Sequence, residues 1–101
     1  MIHNTFNIEK EVIDKANDYN LDAMATGGGC DYIFKQVGEK PWQCALLCNL
    51  YKDCSPDTVD EKAIVAIFID EEWLKGVEFK FDSADNAMHF MSNMEMGVID
   101  L

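Results

Sequence analysis

Side chains that could ligate a metal ion or act as nucleophiles are few in this chain of 101 residues: Cys30, Cys44, Cys48, Cys54, His3 and His89. The cysteine spacing, C-x13-C-x3-C-x5-C, lacks the closely spaced pairs that are typical of zinc sites. On one strand, Cys44 and Cys48 would lie about 13 Å apart and point to the same face, too far apart to share an ion. We therefore expect small buried thiols and no metal site.

Cys30 and His89 are the candidate Cys–His pair for nucleophilic catalysis. Three glycines precede Cys30, and their backbone amides could form an anion-binding nest. The segment matches no phosphate-binding motif, however, and the neighbouring Asp31 disfavours a thiolate. We expect the glycines to form a sharp turn into a strand, and we assign no catalytic residue and no cofactor. A small-ligand or thiol-dependent enzyme domain remains an alternative, and its site would comprise Gly27, Gly28, Gly29 and Cys30.

Acidic residues dominate the charge of the chain. Nineteen Asp and Glu residues stand against eight lysines and no arginine, which gives a net charge of −11. Such a surface repels nucleic acids and anionic membranes, because binding to either normally requires a basic patch. We therefore expect no direct nucleic-acid or membrane partner. The charge serves either solubility alone or the binding of a basic protein.

Two groups of acids are candidates for that binding. One group recurs every three or four residues and predicts a stripe along one helix. Acids four residues apart rise about 6 Å, close to the phosphate spacing along a DNA strand, so the stripe could occupy the basic groove of a nucleic-acid-binding protein. The other group follows a strand, and Trp73 and Tyr51 are candidate aromatic anchors. The predicted partner-binding residues are Glu11, Asp14, Asp18, Asp22, Asp70, Glu71, Glu72 and Trp73.

Small size and strong acidity give the chain a resemblance to accessory proteins of phages and mobile elements, among them anti-CRISPR and other anti-defence inhibitors. The segment ATGGGCDY, residues 25–32, also looks like a segment of small phage and bacterial proteins. Anti-defence inhibitors share no common motif, so no functional residue is carried over from them. The resemblance is compatible with an inhibitor that mimics DNA.

Hydrophobic periodicity predicts six elements. A helical pattern with Asn7 as a candidate N-cap comes first, four strand patterns follow, and a helix capped by Ser83 comes last. These elements span residues 8–20, 31–37, 42–51, 63–69, 77–81 and 84–94. The order predicts a single α+β domain over residues 1–101, in which a four-stranded, mainly antiparallel sheet is flanked by an N-terminal and a C-terminal helix.

The central strands also bear on cysteine pairing and assembly. If Phe34 pairs with Cys44, the same register places Cys30 opposite Cys48, and those two thiols could oxidise. Both faces of the central strands are apolar, and a face left bare would mark an interface. A structural or regulatory homodimer is therefore a further alternative.

Location is predicted from two absences in the sequence. No apolar run approaches the ~20 residues that a membrane span needs. The first twelve residues lack the basic start and apolar block of a signal peptide. We therefore expect a cytoplasmic protein, in the host cytoplasm if a phage encodes it.

Overall fold

The computed structural model describes residues 2–3, 5–25, 29–40, 43–69 and 72–95. Two helices and five strands are present in these ranges. In chain order they are α1 (Lys10–Asp18), β1 (Asp22–Ala25), β2 (Asp31–Gln36), β3 (Gln43–Cys48), β4 (Ala63–Ile69), β5 (Glu72–Phe81) and α2 (Ala84–Ser92). The strands form one antiparallel sheet in the order β1-β2-β3-β4-β5. The predicted α+β class is confirmed, whereas the predicted strand count of four was one too low.

The additional strand, β1, exists because α1 ends earlier than the sequence pattern predicted. Asn20 has a φ of 58°, in the left-handed region that asparagine tolerates. The Asn20 amide donates to the carbonyl of Asn17, and the Leu21 amide reaches back to that of Ala16 at 2.9 Å. These two bonds form a Schellman motif, which closes the helix and turns the chain. Asp22 therefore lies on β1, opposite Phe34 of β2, and not on the helix.

Both helices pack on the same face of the sheet. The core residues of this face come from α1, from α2 and from alternate positions of the strands, and the largest fully buried among them include Val12, Ile33, Leu47, Ile67, Met88 and Met91. Helix α2 begins where it was predicted to begin. The hydroxyl of Ser83 accepts from the amide of Asn86 at 3.1 Å, which confirms Ser83 as the N-cap.

The second face of the sheet is also buried in the described part of the chain. Its cluster has exposed fractions of 6% or less and consists of Tyr32, Cys44, Leu46, Cys48, Ile64 and Ala66. Met24, Cys30, Phe34 and Phe68 are partly buried against this cluster. The homodimer alternative stays a prediction. Among the described residues, no helix is long and apolar enough to cross a bilayer.

Candidate partner-binding surface and thiol cluster

Helix α1 carries acids on the side that faces away from the sheet. Val12, Ile13 and Ala16 are buried on its inner side. At 100° per residue, Glu11, Asp14 and Asp18 fall within about 60° of one another and opposite those three residues. All three acids are exposed. The helical part of the predicted stripe is thus formed.

Interactions within α1 explain the presence of only some of these acids. Asp14 forms an exposed i,i+4 ion pair with Lys10 at 2.7 Å, and such pairs contribute about 0.3–0.5 kcal/mol. Asp18 is the last residue of α1, at the negative end of the helix dipole, where an acid is unfavourable by about 0.3–1 kcal/mol. Asp18 therefore weakens the helix slightly, so helix stability does not explain its presence.

Asp22 joins these acids across the turn that ends α1. An open groove of about 510 Å³ lies between the end of α1 and the start of β1, and it is lined by Asn17, Asp18, Asn20, Leu21 and Asp22. Asp22 is exposed. We refer to Glu11, Asp14, Asp18 and Asp22 together as the acidic stripe.

The second predicted group of acids is described only in part. Asp70 and Glu71 lie outside the described residues. Glu72 and Trp73 begin β5, where their backbones pair with those of Ile69 and Phe68. The predicted role of these four residues in partner binding therefore remains a prediction.

An exposed tyrosine lies in the loop between β3 and β4. Tyr51 is 84% exposed and Leu50 is 46% exposed, and they are the exposed large hydrophobic residues of the described part of the chain. The side-chain oxygen of Asn49 accepts from the amide of Tyr51 at 3.0 Å, and its side-chain nitrogen donates to Asp53 at 2.6 Å. These bonds order the turn that presents Tyr51 to solvent.

Charged residues lie beside this turn. Asp57, Glu61 and Lys62 line a shallow groove together with Tyr51. The carboxylate of Glu61 accepts from the amides of Asp57 and Thr58 at 2.7 and 2.8 Å, so part of its hydrogen-bonding capacity is used within the loop. Residues 7–9, just before α1, line a small pocket together with residues 54–57. The loop that carries Tyr51 is therefore adjacent to the N-terminal end of α1.

The glycine segment is described at Gly29, whereas Gly27 and Gly28 lie outside the described residues. Gly29 has a φ of 89°, a conformation that side chains disfavour, which fits the expected sharp turn into β2. Its carbonyl accepts from the Asn7 side chain at 2.8 Å, and the Asn7 amide donates to Asp31 at 2.7 Å. These bonds join the start of β2 to the segment before α1.

The predicted pairing of Cys30 with Cys48 is wrong. Phe34 lies opposite Leu46 and not Cys44, so the register of β2 against β3 is shifted by two residues from the predicted one. Cys30 instead lies near Cys54: the Ser55 hydroxyl, next to Cys54, donates to the carbonyl of Asp31, next to Cys30, at 2.6 Å. The interaction with the Cys54 side chain, together with burial and the nearby charges of Asp53 and Asp31, raises the pKa of the Cys30 thiol to about 11. Cys30 is therefore a protonated thiol at neutral pH, which does not suit a nucleophile.

The Cys30–His89 combination is not formed either. His89 lies on α2, where its ring stacks on Tyr19 with the ring centres 5.5 Å apart. Cys30 packs with the residue cluster on the opposite face of the sheet. Within the described ranges, no three His, Cys, Asp or Glu side chains come together as a metal-binding group.

The proximity of Cys30 to Cys54 could not be predicted from their spacing. It arises because the loop after β3 folds back, and the Ser55 hydroxyl donates to the Asp31 carbonyl at 2.6 Å.

Comparison of the chain with protein-family models, with curated proteins and with solved structures found no match in any of the three. The residues of the chain itself are therefore the basis of the function proposed below.

Proposed function

We propose that this chain is a non-enzymatic acidic binding protein that blocks or adapts a basic protein partner. The observation that carries the proposal is the acidic stripe: Glu11, Asp14 and Asp18 are exposed along the outer side of α1, and Asp22 adjoins them across the turn. In a chain with a net charge of −11, this surface has a strongly negative potential.

Three features favour binding over solubility alone. Asp18 is retained at the helix end where an acid is unfavourable. The groove beside it, which Asp22 also lines, offers a concave surface to a partner. Tyr51 is presented to solvent by an ordered turn, beside a groove that Asp57, Glu61 and Lys62 also line. Complementary charge accelerates encounter and selects the partner, while a buried aromatic anchor supplies affinity.

The partner that this charge pattern fits best is a protein with a basic groove for nucleic acid. Asp14 and Asp18 are one helical turn apart, and such a spacing can present carboxylates where the partner expects phosphates. An inhibitor of the phage type, acting as a DNA mimic, is the specific form of the proposal. Binding of this kind weakens with salt and competes with DNA.

The test is capture from a bacterial lysate with two variants of equal charge. The stripe variant carries Asp14→Lys, Asp18→Lys and Asp22→Lys. The charge-matched variant carries three reversals outside α1 and β1, at exposed acids: Glu39→Lys, Asp82→Lys and Glu95→Lys. We expect the wild type and the charge-matched variant to capture one basic protein at low salt, which added DNA displaces, and the stripe variant to lose it.

Two outcomes of this experiment would contradict the proposal. Equal capture by the stripe variant and the wild type would exclude the acidic stripe as the binding surface. Equal loss in both variants would show that only the net charge matters. Thermal melts of all three proteins serve as the folding control, and we expect them to be nearly the same, because exposed substitutions usually change stability by less than about 0.5 kcal/mol.

A further inference from the structure

Cys30 and Cys54 are neighbours in the fold, because the residues that follow them, Asp31 and Ser55, are joined by a hydrogen bond of 2.6 Å and the Cys54 side chain raises the pKa of the Cys30 thiol. Both residues are partly exposed, whereas Cys44 and Cys48 are completely buried. Two thiols held this close by the backbone can reach the sulfur–sulfur bond length of about 2 Å by side-chain rotation. Partial exposure leaves this pair open to a small oxidant that cannot reach the two buried cysteines.

The backbone on both sides of the pair is held in place. Ser55 follows Cys54 and donates its hydroxyl to the carbonyl of Asp31, which follows Cys30, at 2.6 Å. The carbonyl of Cys54 accepts from the Asn49 amide at 2.9 Å. The Asn7 side chain is bonded to the carbonyl of Gly29, which precedes Cys30. The native fold therefore maintains the proximity of the two thiols.

We propose that Cys30 and Cys54 are a redox modification site, at which an intramolecular disulfide forms on exposure to a low-molecular-weight disulfide such as oxidised glutathione. Cys54 loses its proton and attacks the small disulfide, which forms a mixed disulfide on Cys54 and releases one glutathione thiol. The second cysteine then attacks the protein-bound sulfur and expels the other glutathione. In total, the two cysteines lose two protons and two electrons, and one small disulfide is reduced to two thiols.

The bond would connect the start of β2 to the loop that presents Tyr51. The disulfide closes a loop from residue 30 to residue 54 and so lowers the conformational entropy of the unfolded chain. The oxidised protein should therefore melt at a higher temperature than the reduced one. The inference does not depend on the proposed partner, because the bond forms or fails to form in the isolated protein.

Peptide mapping after oxidation tests the proposal directly. Trypsin cleaves after lysine, except before proline, and so places Cys30 in peptide 16–35, Cys54 in peptide 53–62 and both buried cysteines in peptide 36–52. The folded full chain is incubated with excess oxidised glutathione, free thiols are alkylated, and the digest is analysed by mass spectrometry. We expect peptides 16–35 and 53–62 to be linked and peptide 36–52 to carry two alkylated cysteines.

Two variants and one condition serve as controls. Cys54→Ser should yield no linked peptides and no rise in melting temperature, whereas Cys44→Ser should behave as the wild type does. Oxidation of the guanidinium-unfolded chain should give mixed pairings, which would show that the fold selects Cys54 for Cys30. The proposal would be overturned if Cys30 and Cys54 remained fully alkylated after oxidation. It would also be overturned if a disulfide involved a cysteine of peptide 36–52, or if the disulfide joined two protein chains.

Discussion

At the scale of single residues, the four cysteines divide into two pairs with different surroundings. Cys44 and Cys48 have no exposed surface, and burial raises their thiol pKa values to about 11 and about 12. Cys30 and Cys54 lie near each other and are both partly exposed. The sequence predicted buried thiols, which two of the four are. It could not predict the proximity of Cys30 to Cys54, because a register shift of two residues and a folded loop bring these residues together.

The buried thiols make stability depend on pH in the alkaline range. A thiol with an ordinary pKa of 9.0 releases its proton in the unfolded chain before Cys44 does in the folded protein. The folded state then holds more protons, so the free energy of unfolding falls as the pH rises above about 9. For Cys44 the loss amounts to about 2 kcal/mol near pH 10.5.

Chemical denaturation at pH 7 and pH 10.5 measures this loss under reducing conditions. The matched control is Cys44→Ala, which removes the titrating group and should show a smaller difference between the two pH values than the wild type. An identical difference in both proteins would mean that the Cys44 thiol does not contribute to the pH dependence.

Tyr51 should contribute to binding and not to stability. Because its side chain is 84% exposed, Tyr51→Ala should change the free energy of unfolding by less than about 0.5 kcal/mol. Under the proposed function, the same change should weaken partner binding by about 2 kcal/mol, as expected for a buried aromatic anchor. Tyr51→Phe is the control that keeps the ring. Unchanged affinity in Tyr51→Ala would remove Tyr51 from the binding surface.

At the scale of elements, the position at which α1 ends determines that the following residues form strand β1. The acids at positions 11, 14, 18 and 22 continue a helical spacing, and this spacing suggested a longer helix. The Schellman motif at Asn20 closes α1 first and directs Asp22 into β1. β1 has only four residues, DAMA, without β-branched side chains, so its pairing with β2 and not its own propensity makes it a strand.

The left-handed residue at this turn can be tested by a matched pair of substitutions. Glycine adopts a φ near 58° without strain, so Asn20→Gly should leave the free energy of unfolding unchanged or raise it slightly. Valine is strained there, and Asn20→Val should lower the free energy of unfolding by about 1–2 kcal/mol. Urea denaturation measures both. Equal stability of the two variants would show that the turn does not require this conformation.

At the scale of the whole molecule, the sequence predicted the features that depend on periodicity and composition. The α+β class, four of the five strands, the helix cap at Ser83 and the exposed acids of α1 follow from local patterns and were confirmed. Strand register and the contact between the β2 start and the β3–β4 loop depend on residues distant in sequence, so they could not be predicted. The helical part of the acidic stripe, Glu11, Asp14 and Asp18, was predictable because helical spacing determines which residues share a face, whereas the position of Asp22 on β1 was not.

The measurement that tests the proposed function most directly is a calorimetric titration of the captured basic partner. Wild type, stripe variant and charge-matched variant are titrated at low and at high salt. The proposed function predicts that the wild type and the charge-matched variant bind at low salt and weaken at high salt, while the stripe variant binds at least tenfold more weakly. Affinities that are equal in all three proteins and insensitive to salt would contradict it.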